Sequence, residues 1–200
     1  MTLITPTTEL EAVNECLENI GQAPVNTLAG DLGVDTQIAL NYVTKTNREL
    51  QSQGWYWNTD QNYKLSPNVD GDILLPANTL SVRSYGQDVR RNLVQRGSRL
   101  YDRDNQSFTY TTAVYVELTL GLDFTDLPET ARRYIALRAA RLFQDRIEGA
   151  SDSGDFEDEK RAMAGLMADQ LRVQRPNALT DNWTTASSIR RHAYGYIPRY

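Results

Sequence analysis

The side chains able to do chemistry in this chain are mainly carboxylates, and the densest run of them is Asp152, Asp155, Glu157, Asp158 and Glu159. Two acids, one protonated and one ionised, suffice for glycoside hydrolysis when they flank a sugar bond. The same five acids stand where a helix is expected to begin, and there negative charge complements the positive end of the helix dipole. That second role requires no further partner and is the simpler reading. The lone histidine, His192, has no other histidine or cysteine near it, which removes the common zinc spacings and leaves no Ser-His or Cys-His pair in view. Cys16, the lone cysteine, lies beside Leu17 on a predicted helix and reads as a small core hydrophobe. Neither GxxxxGK[ST] nor GxGxxG occurs, so no phosphate cradle is expected. We therefore expect no cofactor and no metal, and the catalytic residues of any hydrolase stay unassigned.

The other concentrated chemistry is guanidinium. Of 21 basic residues, 18 are arginine, which favours fixed, forked contacts over loose attraction. Several crowd one segment, LPETARRYIALRAARLFQDRIEG at 127–149. Pro128 suits a first helical position and Glu129 follows it at the positive end of the dipole. Ala131, Ile135, Ala139 and Leu142 recur at helical spacing, widened by Tyr134, Phe143 and Ile147 into an apolar stripe. Arg132, Arg133, Arg138, Arg141 and Arg146 surround the stripe. At its edge, arginine stems can be buried while the guanidinium groups reach carboxylates on another helix or another chain. Docking residues are thus expected at Arg132, Arg133, Arg138 and Arg141, joined by Tyr194, Tyr196 and Arg199 near the C-terminus, because arginine and aromatic side chains anchor protein interfaces.

Charge narrows the partners further. The chain carries a net charge of −5, distributed as −7 over residues 1–80, +3 over 81–110, −4 over 111–174 and +3 over 175–200. A chain that is acidic overall makes a poor general binder of nucleic acid. No stretch is apolar for long enough to span a membrane, and MTLITPTTEL lacks the basic start and apolar run of a signal peptide, so synthesis in the cytoplasm is expected.

The elements that must position these groups follow from periodicity. Helices are predicted at about 8–20, 35–53, 128–148 and 156–173. The first opens on a Thr8/Glu11 capping box and ends at Gly21; the second is capped by Asp35. Asn47 interrupts the apolar stripe of the second helix and reads as a core-margin position, the alternative being a hydrogen bond that fixes how two helices meet. Between about 55 and 121 the pattern changes to short runs broken by Gly, Pro, Asn and Asp. Trp55-Tyr56-Trp57 suits a strand, Gly97-Ser98 a hairpin turn, and Val114, Val116, Leu118 and Leu120 give the clearest alternation. The fold class is α+β, a helical bundle with an antiparallel β insertion, in one domain over residues 1–176. Residues 177–200 read as a C-terminal tail that orders on a partner or stays free.

Four stretches taken in order, LEAVNECLENIGQAPVNTLAGD at 10–31, NRELQSQGW at 47–55, RGSRLYDR at 96–103 and LPETARRYIALRAARLFQDR at 127–146, resemble the tail tubular protein A family, the head-to-tail adaptors of short-tailed phages related to T7. The resemblance implies a structural virion protein of the tail, made in the host cytoplasm. It implies a twelvefold ring between the portal and the tail nozzle, through which viral DNA passes without sequence recognition. Self-association and contacts with portal and nozzle proteins are then the expected partnerships. The alternative is a tail-associated hydrolase of bacterial surface polysaccharide, alone or as a second activity, using a carboxylate pair.

Overall fold

A computed structural model describes residues 5–149 and 153–173. Helix α1 (Glu9–Asn19) starts on the expected capping box: the Glu11 amide donates to Thr8 Oγ1 at 3.2 Å and the Thr8 amide to Glu11 Oε2 at 2.7 Å. Gly21, at φ 71°, supplies the left-handed residue that stops it. Helix α2 (Val34–Gln51) begins one residue before Asp35; Gly33 holds the cap position, and Asp35 lies in the first turn, where its charge still faces the dipole. Helix α3 (Glu129–Glu148) has Pro128 as its cap and not as its first helical residue, because ψ is 151° there and the helix begins after it. Helix α4 (Ser153–Val173) starts upstream of the expected Phe156.

The bundle core takes Ala12, Val13, Cys16 and Leu17 from α1, Ala39, Val43 and Leu50 from α2, and Ala131, Ile135, Ala139 and Phe143 from α3. Ala136 and Ala140 are buried too, while Leu142 is only half-buried. The reason is that α3 is contacted by α1, α2 and α4, so its covered face is wider than a single stripe. Leu166 is the one large side chain of α4 that is fully buried.

The β region comprises β1 (Thr59–Leu65), β2 (Thr79–Ser84), β3 (Leu93–Arg96), β4 (Arg99–Asp102) and β5 (Val114–Leu120). An antiparallel sheet of order β1-β5-β2 is accompanied by the β3–β4 hairpin. Gly97, at φ 62°, makes the hairpin turn. The alternation in β5 buries Val114, Val116 and Leu118 in a second core with Leu65, Ile73, Leu93, Leu100 and Tyr110. The fold is therefore α+β, a helical bundle with an antiparallel β insertion.

Trp55-Tyr56-Trp57 is a turn, and the reading of it as a strand is corrected. Asn58 folds the chain back: its Oδ1 accepts the Trp55 amide at 2.7 Å, and its Nδ2 donates to the carbonyls of Gln51 and Leu120, each at 2.9 Å. Trp55 Nε1 donates to Leu50 O at 2.8 Å, and the Trp55 and Trp57 rings lie nearly parallel with centroids 6.4 Å apart. Asn47 is half-buried, and its Oδ1 accepts from Gln51 Nε2 at 2.7 Å. Gln51 also bonds both backbone groups of Leu122, so this polar pair joins α2 to the segment between β5 and α3.

Candidate assembly surface

Four arginines of α3, Arg132, Arg133, Arg138 and Arg141, are engaged within the chain. Arg132 Nε donates to Leu127 O at 2.8 Å and Nη1 to Thr7 O at 3.1 Å, and Nη2 reaches Thr125 O. Glu129 accepts from the Thr7 amide and hydroxyl at 2.7 and 2.6 Å, so the two side chains clasp the N-terminal segment to the start of α3. Arg133 pairs with Glu15 of α1 at 2.7 Å. Arg138 Nη1 and Arg141 Nε take the two oxygens of Glu159 at 2.8 and 2.5 Å, and Arg141 also reaches Asp145 at 2.9 Å. Burial, the largest single influence, disfavours the Arg138 charge, but the Glu159 hydrogen bond together with the charges of Tyr134, Glu159 and Glu49 outweighs it and holds its pKa above the usual value. Tyr194, Tyr196 and Arg199 lie outside the described residues.

The same contacts decide how the acidic run is used. Glu159 is buried beneath its two arginines, Glu157 pairs with Lys160 at 2.9 Å and Asp158 with Arg161 at 2.8 Å. Asp155 stands near Glu15, whose pKa is raised first by burial and then by Glu18 and Asp155, with Arg133 opposing. Asp152 lies outside the described residues. Glu157, Asp158 and Glu159 are thus occupied in ion pairs. Among the described residues no cluster of ligating side chains could hold a metal, and no helix is long and apolar enough to cross a membrane.

A groove of about 740 Å³ runs over the outer face of the sheet, lined by Tyr56, Asp60, Tyr63, Arg83, Glu117 and Gln170 among others. Its wall is fixed to α4: Tyr56 Oη donates to Asp169 at 2.8 Å and the Tyr56 amide to Gln170 Oε1 at 3.0 Å. Burial and the Asp169 hydrogen bond both push the Tyr56 phenol up.

A group that sequence reading passed over lies on the β3–β4 hairpin and its flanks. Arg96 stacks on Tyr101 with its guanidinium carbon 3.6 Å from the ring centroid, and Arg99 lies 4.1 Å over Phe108 while bonding Asp72 at 3.0 Å. Arg83, Arg90 and Arg103 are exposed. Arg91 alone turns inward, to Asp102 at 2.9 Å. Burial works against the Asp102 charge, yet Arg91, Asn105 and the Asp104 amide outweigh it and hold the carboxyl down at about 2. The sequence signal for this group is the +3 of residues 81–110 in an otherwise acidic chain.

Comparison with known proteins places this architecture. The family model described as tail tubular protein matches residues 10–176. The tail tubular protein A of Klebsiella phage KP34 is 30% identical over 172 residues, spanning 84% of this chain and 89% of that protein. The match covers both the helical bundle and the β region, and with it the chain belongs to the tail tubular protein family of phage tail structural proteins.

Proposed function

We propose that this chain is the ring-forming adaptor of its tail, self-associating between the portal and the nozzle protein and contributing to the channel through which DNA passes. The observation that carries the reading is the family match over residues 10–176, which takes in bundle and β region together. Charge supports it physically. At −5 per copy a ring of many copies is strongly negative, and acids facing the channel would let DNA slide, since like charge removes the counterion-release attraction. The α3 arginines contribute by holding α1 and α4 in place through Glu15 and Glu159, which keeps the outer surface of the bundle rigid for docking. Mixing the chain with portal ring and nozzle protein tests the reading: a ternary complex in which portal and nozzle are bridged only when this chain is present supports it, and direct portal–nozzle association without the chain contradicts it.

The second reading, hydrolysis of bacterial surface polysaccharide, draws on one feature, the groove over the sheet, which gathers Asp60 and Glu117 with Tyr56 and Tyr63. Sugar release abolished by Glu117→Gln in a folded protein would establish it, and absence of release from capsular polysaccharide of the host would remove it.

A further inference from the structure

Residues 83–103 hold six arginines, Arg83, Arg90, Arg91, Arg96, Arg99 and Arg103, against two acids, Asp88 and Asp102. That is a net +4 in a chain of −5, so the remainder carries −9. Arg91, just before the hairpin, is spent on Asp88 and Asp102, and Arg99 on Asp72. Arg83, Arg90 and Arg103 are exposed and form no ion pair with another of the described residues, and Arg96 is presented on the face of Tyr101. Arg96 is thereby a preorganised cation, because an aromatic face fixes a guanidinium plane while leaving its N–H groups to a partner.

The complement lies elsewhere on the same molecule. Helix α1 carries Glu9, Glu11, Glu15 and Glu18 and no basic residue. A groove of about 520 Å³ along it is lined by Glu11, Glu15 and Glu18, with Arg133 as its one cation among the described residues. Glu9 and Glu18 form no ion pair with another of the described residues. The acids crowd one another there: Glu18 and Asp155 both push the Glu15 pKa upward, after burial. An added cation is therefore favoured at this groove.

We propose that the β3–β4 arginine surface docks on the acidic face of α1 of a second copy of this chain, as the head-to-tail contact between neighbours. The proposal rests on the adaptor reading and names the surfaces of its ring. Two different patches of opposite sign on one chain make a heterologous contact, the type that propagates around a ring. It also moves the docking arginines from Arg132, Arg133, Arg138 and Arg141 of α3, whose guanidinium groups are engaged within the chain, to the β region.

Charge reversal tests it. A hairpin variant (Arg90→Glu, Arg96→Glu and Arg103→Glu) and a helix variant (Glu9→Lys and Glu18→Lys), both checked for wild-type circular dichroism, are assayed by native mass spectrometry, alone and with the portal ring. Each variant by itself should assemble at least tenfold more weakly than wild type. An equimolar mixture should recover assembly with the two chains alternating, because each acidic surface then meets a basic one. Variants that assemble like wild type on the portal overturn the proposal while leaving the adaptor reading intact. A wild-type chain that stays monomeric both alone and with the portal overturns both. Loss of duplex DNA binding by the hairpin variant with unchanged assembly would assign the arginines to nucleic acid and overturn the self-docking contact.

Discussion

Glu159 of α4 meets Arg138 of α3 at 2.8 Å, with the other carboxylate oxygen held by Arg141 at 2.5 Å. Because Leu166 is the only large apolar side chain of α4 that is fully buried, this polar clamp fixes the position of the last described helix. Glu159→Ala leaves two arginines facing each other without their carboxylate. Both are partly exposed to screening water, so a cost of about 1–3 kcal/mol is expected, below that of a fully buried pair. Hydrogen exchange should accelerate in α4 well before α1, and uniform exchange across all helices would contradict the clamp. Arg138→Glu with Arg141→Glu should release α4 in the same way, so any effect of that double variant on assembly is expected to act through α4.

Asp102 gives the β region a pH dependence. Its carboxyl is held at about 2 against an ordinary 3.8. A depressed folded-state pKa contributes stability that is complete above the unfolded value and is lost as pH falls through the folded one, here between about 4 and 2, with an amplitude of about 2 kcal/mol. Asp102→Asn should be less stable than wild type at pH 7, and the gap should close near pH 2. A gap independent of pH, measured by denaturant unfolding, would show that the Arg91 pairing does not set the stability.

Asn58 is the joint between helix and sheet. Asn58→Ala orphans the buried Trp55 amide and removes a donor from the carbonyls of Leu120 and of Gln51, the latter keeping the Gly54 amide, for an expected loss of about 2–3 kcal/mol. Trp55 fluorescence should shift as its ring loosens. Retention of the wild-type melting temperature would refute the assignment.

Cys16 is fully buried, and burial pushes its thiol up to about 12. Iodoacetamide at pH 8 should leave it unmodified in the folded chain and alkylate it once denaturant is added. Rapid labelling of the native protein, read by intact mass, would place Cys16 at a surface.

Helix periodicity carried most of the bundle, since Val13, Leu17, Val43, Leu50, Ile135 and Ala139 all sit where their spacing puts them in the core. Turn chemistry was harder. Three aromatics in a row have the composition of a strand, and only the side-chain bonds of Asn58, a residue unremarkable in sequence, make Trp55-Trp57 a turn. The α3 arginines were legible by type, and their partners within the chain were not. An arginine beside an apolar stripe reaches for a carboxylate, but Glu15 and Glu159 are supplied by other helices of the same chain, and sequence spacing says nothing about that distance. The hairpin arginines became visible only when the fold set Arg96 and Arg99 on Tyr101 and Phe108.

The adaptor account is tested most directly by the native mass of the purified chain mixed with the portal ring of the same phage. It predicts a portal complex heavier by a full ring of 22.7 kDa subunits, twelve if the symmetry is that implied by the family resemblance, with no partial rings at saturation. A portal ring of unchanged mass beside a monomeric chain would contradict it.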